Sequence, residues 1–173
     1  MEKVKKIDRR VMKTKKSIRK AFILLINKKD LNDITITELS NLADIDRKTF
    51  YLHYETVNDV YKEIEAEVSG ELQGLLHSDE EFTFQKFFLG LNKIMQGNLD
   101  FYKVISKKPS YAFMLTECTQ LLNQKLTEKY PSMSTTTASF MSHGIIGAYV
   151  DWLNDNNDIS LERLAVELRE TLE

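Results

Sequence analysis

Apolar residues recur at helical spacing along almost the whole of this 173-residue chain. Ile18, Ala21, Phe22, Leu25 and Ile26 fall at i, i+3, i+4, i+7 and i+8, which puts them on one face of a helix expected over about 15–27. The other face carries Lys15, Lys16, Arg19 and Lys20. Thr35-Ile36-Thr37-Glu38 has the form of a capping box, in which hydroxyl and carboxylate each satisfy a backbone donor, and it opens a second helix over about 36–43. Asp44-Ile45-Asp46 interrupts that helix. Asp44 suits the left-handed backbone of a sharp turn, and Asp46 suits the cap of a short third helix over about 47–54. Thr56-Val57-Asn58-Asp59 repeats the cap chemistry and opens a long fourth helix, on the order of 30 Å, along which Val60, Tyr61, Ile64, Val68, Leu72 and Leu75 keep the period. Five further helices are expected over about 82–97, 98–106, 109–129, 133–156 and 160–172. Pro109 and Pro131 lie near boundaries, and Ser160 caps the last helix. With 6 Gly and 2 Pro in the chain, the fold expected is all-α. It divides into a three-helix domain over 1–56 with a basic N-terminal arm and a larger helical domain over 57–173.

Charge divides the chain at the same place. Residues 1–53 hold 14 Lys and Arg against 7 Asp and Glu, whereas residues 54–173 hold 10 against 19, which together give the net −2. A basic part of this kind suits a polyanion, and the acidic remainder suits a solvated body. Cys118 is the single cysteine, so no internal disulfide forms. The longest unbroken apolar run is Ala21 to Ile26, far short of the roughly 20 residues that a membrane helix needs. A cytoplasmic location is the expectation.

Two short helices joined by a three-residue turn, with a preceding helix to pack on, are the parts of a helix-turn-helix. At 100° per residue Phe50 and Tyr54 point together into the core with Arg47 near them, while Lys48, Thr49, Tyr51 and Leu52 fan outward. That outward set suits a major groove. Lys48 can donate to guanine or phosphate, Leu52 offers an apolar contact to a thymine methyl, and Thr49, Tyr51 and His53 have polar tips for phosphate oxygens. Arg47 flanks them. The backbone amides at the starts of helices two, three and four, with the hydroxyls of Thr35 and Thr37, are further phosphate ligands. Lys15, Lys16, Arg19 and Arg10 add attraction without sequence preference.

The segment "DITITELSNLADIDRKTFYLHYETVNDVY" resembles the DNA-binding region of TetR/AcrR-type transcriptional regulators over about residues 12–64, and "TFYLHY" is similar to short members from Gram-positive bacteria. Asp44, Asp46, Glu55 and Val57 stand where that family usually has glycine in the turn, serine before helix three, and proline and lysine around the start of helix four. The resemblance implies a homodimer on a palindromic operator, acting as a repressor that releases double-stranded DNA when a small-molecule effector enters the C-terminal domain. A helical coregulator working through a protein partner is the alternative.

Phe87, Phe88, Phe101, Tyr102, Tyr111 and Met114 are candidates for lining such an effector cavity, or for ordinary core. The stretch "HGIIGAYVDWL" at 143–153 sets Gly144, Gly147 and Ala148 on one side of a helix. With Trp152 and the stripe of Leu161, Leu164 and Leu168, it forms a candidate dimer interface. His143 is expected in the interior, His77 in a loop, and Cys118 as a small packing residue. No His, Cys or carboxylate set has metal spacing, and neither a cofactor motif nor a nucleophile elbow appears, so no metal, cofactor or catalytic residue is expected.

Overall fold

The structure, a computed structural model, describes residues 9–77, 82–108, 112–154 and 159–172, with only the backbone of 112–114. Among them the regular elements are helices: α1 (Arg9–Ile26), α2 (Ile36–Leu42), α3 (Arg47–Tyr51), α4 (Val57–Leu76), α5 (Phe84–Gly97), α6 (Leu99–Ile105), α7 (Ala112–Lys129), α8 (Thr135–Asn154) and α9 (Leu161–Leu172). A 3-10 turn at Leu31–Asp33 completes the set. Helix α1 begins at Arg9, earlier than expected, because nothing between Arg9 and Thr14 breaks a helix and half-buried Val11 extends the stripe of Ile18 and Phe22 by two turns. Helix α3 stops at Tyr51, short of the expected end at 54. The amides of His53 and Tyr54 still reach the Phe50 carbonyl at 2.9 and 3.0 Å, so the chain keeps curling and Tyr54 reaches the core.

Two compact units divide inside α4, between Ile64 and Glu65, and not at the expected 56/57. The physical reason is that Val57, Val60, Tyr61 and Ile64 are buried, so the first two turns of α4 complete the core that Ile18, Phe22, Leu39 and Phe50 begin. Side chains fasten those turns as well. Lys15 Nζ pairs with Glu63 and lies 5.1 Å from the centre of the Tyr54 ring, whose hydroxyl donates to Glu63 Oε1 at 3.1 Å.

In the second unit α5 packs on α9 and α7 on α8. Its core is aromatic. Phe84 stacks on Phe88 and on Tyr130, and Phe88 stacks on Tyr149. One buried polar link crosses this core: Asn92 donates to the Leu161 carbonyl at 3.0 Å while its own oxygen accepts from the Tyr149 hydroxyl at 2.7 Å. Trp152 Nε1 donates to the Ile159 carbonyl at 2.9 Å, and Ser160 Oγ accepts from the Arg163 amide at 3.2 Å as the expected cap. No helix among the described residues is long and apolar enough to cross a membrane.

Candidate nucleic-acid interface

Helix α2 starts on the capping box read from the sequence. Thr35 Oγ1 accepts from the Glu38 amide at 3.2 Å, and Glu38 Oε2 accepts from the Thr35 amide at 3.1 Å. Lys29 Nζ donates to the same carboxylate at 2.6 Å; this bond first, and the Thr35 bonds second, hold the Glu38 carboxyl down at about 2. The turn after α2 is a Schellman motif. The Ile45 amide bonds the Ser40 carbonyl at 3.1 Å, the Asp44 amide bonds the Asn41 carbonyl at 3.2 Å, and Asp44 takes φ 55°. Aspartate thus fills a left-handed position that favours glycine. Asp46 stands at the cap of α3 with extended backbone, but its side chain makes no cap hydrogen bond, contrary to expectation.

Phe50 anchors α3. It is fully buried, with Tyr51 edge-on at 5.9 Å and Tyr54 at 5.7 Å between ring centres. From this anchor Lys48, Tyr51 and Leu52 stand in solvent, and Leu52, at 80% exposed, is the most open large apolar side chain among the described residues. Thr49 and His53 are half-buried. Arg47, placed by the helical wheel near the buried rings, is exposed instead, because at the first helical position there is no preceding turn for it to lie on.

The other expected phosphate ligands differ among themselves. Thr37 is exposed, but Thr35 is committed to its cap with Glu38. The start of α4 is closed in the same way: Asp59 accepts from the amides of Thr56 at 2.7 Å and Glu55 at 3.1 Å, which lowers its carboxyl below the ordinary range. Lys15 turns inward to Glu63 and Tyr54, while Arg19 is half-buried and Lys16 exposed. What the sequence reading missed is a longer cationic row. Arg9, Lys13, Lys16 and Lys20 are all exposed at i, i+4, i+7 and i+11, opposite buried Ile18, on a helix with no acidic residue. The signal was present in the spacing, but it needed the helix to begin at Arg9.

In the second unit Phe87, Phe88, Phe101 and Tyr102 are buried in packed core. Tyr111 lies outside the described residues, as does the side chain of Met114. A groove of about 700 Å³ lies elsewhere, between α7 and α8. Leu161 and Leu164 are buried on the helix that packs against α5, which removes them from any surface that a second copy could reach; Leu168, Ala148, Gly147 and Trp152 are half-buried and Gly144 is exposed. His143, expected inside, is exposed, with Nδ1 2.8 Å from the Ser139 carbonyl. Cys118 is a half-buried free thiol, pushed up to about 12 by burial and, second, by Glu117.

Residues 82–173 match the family described as "Transcriptional regulator C-terminal region" (TetR_C_8), which is more than half of the chain. The chain belongs to the TetR family of transcriptional regulators. The TetR-family chain is also 46% identical over 54 residues to the "Uncharacterized HTH-type transcriptional regulator YxbF" of Bacillus subtilis (strain 168); the match takes in 31% of this chain but only 14% of that protein's length. In fold it is similar to the "Dihydroxyacetone kinase operon activator DhaS", with TM-score 0.59 and 22% identity over 92% of this chain and 93% of that one. It is likewise similar to NalD, titled the secondary repressor of the MexAB-OprM multidrug efflux pump in Pseudomonas aeruginosa. There the TM-score is 0.67 and the identity 18%, over 94% of this chain and 95% of that one. The family and these neighbours are regulators and not enzymes.

Proposed function

We propose that this TetR-family chain is a sequence-specific DNA-binding regulator that works as a homodimer on a palindromic operator. The observation that carries the reading is the outward face of α3, where Lys48, Tyr51 and Leu52 stand in solvent around a fully buried Phe50. In a major groove Lys48 donates to guanine or phosphate and Leu52 meets a thymine methyl, while Tyr51, Thr49 and His53 reach phosphate oxygens, flanked by Arg47 and Thr37. The row of Arg9, Lys13, Lys16 and Lys20 supports the same partner, since cations along one helix face draw in a phosphate backbone regardless of sequence. An anionic membrane fits less well, because the apolar face of α1 at Ile18, Phe22 and Ile26 is buried, leaving Met12 and Leu24 as its exposed large apolar side chains.

Two copies would present two α3 helices to half-sites about 34 Å apart or a multiple of it. Repression relieved by a small molecule is the mode of regulation in this reading, and linkage requires that DNA weaken the effector as much as the effector weakens DNA. Fold neighbours titled activator and repressor both exist, so the sign is to be read from expression of the controlled gene. The test is selection of bound fragments from genomic DNA, followed by gel shifts at two salt concentrations. A preferred site that Lys48→Ala no longer distinguishes from random DNA is the expected result. Equal, weak binding of all fragments by the wild type would sink the reading in favour of a coregulator.

A further inference from the structure

Helices α2, α4, α5, α8 and α9 each start on a hydroxyl, that of Thr35, Thr56, Thr83, Ser134 and Ser160, which accepts from the amide three residues on. Helix α3 starts on Asp46, whose carboxylate could cap a helix as well as a hydroxyl does, yet the side chain bonds no amide there. It is exposed, and among the described residues no hydrogen bond or ion pair holds it. The carboxylate opens on the recess of the α2–α3 turn together with Asn41, Asp44 and Thr49, while Arg47 and Lys48 stand exposed just after it. No group of three His, Cys, Asp or Glu that could hold a metal ion gathers there or elsewhere among the described residues. The chain thus keeps a free anion at the leading end of α3, the end of a recognition helix that meets base edges.

A carboxylate in that place is chemically selective. Ionised, it only accepts hydrogen bonds, so phosphate oxygens repel it, and so do N7 and O6 of guanine and O4 of thymine in the major groove. Adenine sets its N6 amino group beside the acceptor N7, one attraction against one repulsion. Cytosine presents the N4 amino donor with no acceptor on the same edge. Arg47 and Lys48 offset the repulsion from the phosphate backbone, and Lys48, able to donate to guanine, suits the same base pair or the next.

We propose that Asp46 is a specificity-determining residue, whose carboxylate accepts from N4 of one cytosine in each operator half-site and so fixes a C·G pair there. The inference rests on the proposed function, operator binding through α3. Selection of bound duplexes from a randomised pool tests it, followed by gel shifts at one fixed salt concentration on operators carrying each of the four base pairs at the selected position. The wild type is expected to select cytosine at one position of each half-site, and to lose about 5- to 100-fold in affinity when thymine replaces it. Asp46→Ala is expected to bind the four pairs alike. Asp46→Asn, whose amide both donates and accepts, is expected to move the preference to adenine. Asp44→Asn removes a carboxylate from the same recess and is expected to tighten binding to all DNA with the cytosine preference kept. Because Asp46 holds no side-chain bond, neither of its variants is expected to shift the urea melt. An operator preference that both Asp46 variants leave unchanged, or that Asp44→Asn relaxes equally, would overturn the proposal and leave the operator reading standing. A wild type without any preferred site would sink the operator reading, and this assignment with it.

Discussion

Asp44 holds φ 55° two residues beyond the end of α2, just past the Ala43 cap, where an L side chain crowds the following carbonyl, though aspartate tolerates the position better than most. Asp44→Gly is therefore expected to stabilise the first unit by up to about 1 kcal/mol, and Asp44→Val to destabilise it by about 1–2 kcal/mol, in urea melts followed by circular dichroism. The other residue whose single bond matters most is Tyr149. Its hydroxyl is buried against Asn92, and burial also pushes that phenol above its ordinary range. Tyr149→Phe leaves the Asn92 oxygen without this donor in a closed core, and a loss of about 1–3 kcal/mol is expected from the same melts. The two roles were not equally readable in the sequence. The left-handed turn was, because it depends on four consecutive residues; the Tyr149–Asn92 bond was not, because its partners lie 57 positions apart.

At the scale of the helix the caps dominate. Thr35→Ala removes one half of the α2 box, and a loss of about 1 kcal/mol is expected from it. The other half titrates. The Glu38 carboxyl lies near 2, below its ordinary 4.5, so the folded state favours the ionised form: its contribution is present above pH 4.5 and disappears as pH falls towards 2. Stability measured against pH should show wild type and Glu38→Gln converging across that window, and an unchanging gap would refute the assignment. The caps at Thr35, Thr56 and Ser160 were legible because a cap is local chemistry within four residues. The ends of α1 and α3 were not, since they depend on what the next turn packs against. Periodicity also could not tell whether the buried rings of Phe87, Phe88 and Phe101 serve as core packing or as a cavity lining, because both uses put an apolar ring on the inner face.

For the molecule as a whole, charge on α1 and chemistry on α3 should separate in a salt titration. Replacing Arg9, Lys13, Lys16 and Lys20 together with Gln is expected to flatten the slope of log K against log salt by up to about 0.9 per lost phosphate contact while the preference for the operator survives. Lys48→Ala should do the opposite, changing preference more than slope. Lys15→Ala, which sequence alone would group with the first set, should leave the slope nearly unchanged and loosen the junction with Glu63 and Tyr54. The charge division near residue 53 was visible from the composition, but which lysines face solvent was not, because Lys15 is claimed by Glu63, a partner 48 residues away. Cys118 has a practical consequence for all such measurements. A thiol held near 12 has almost no thiolate at neutral pH, so alkylating reagents should modify the native chain far more slowly than the urea-unfolded one, as mass spectrometry would show. A cysteine introduced at exposed Thr136 or Lys16 would then take a fluorophore almost alone, and the protein could be labelled for distance measurements with its native sulfur left in place.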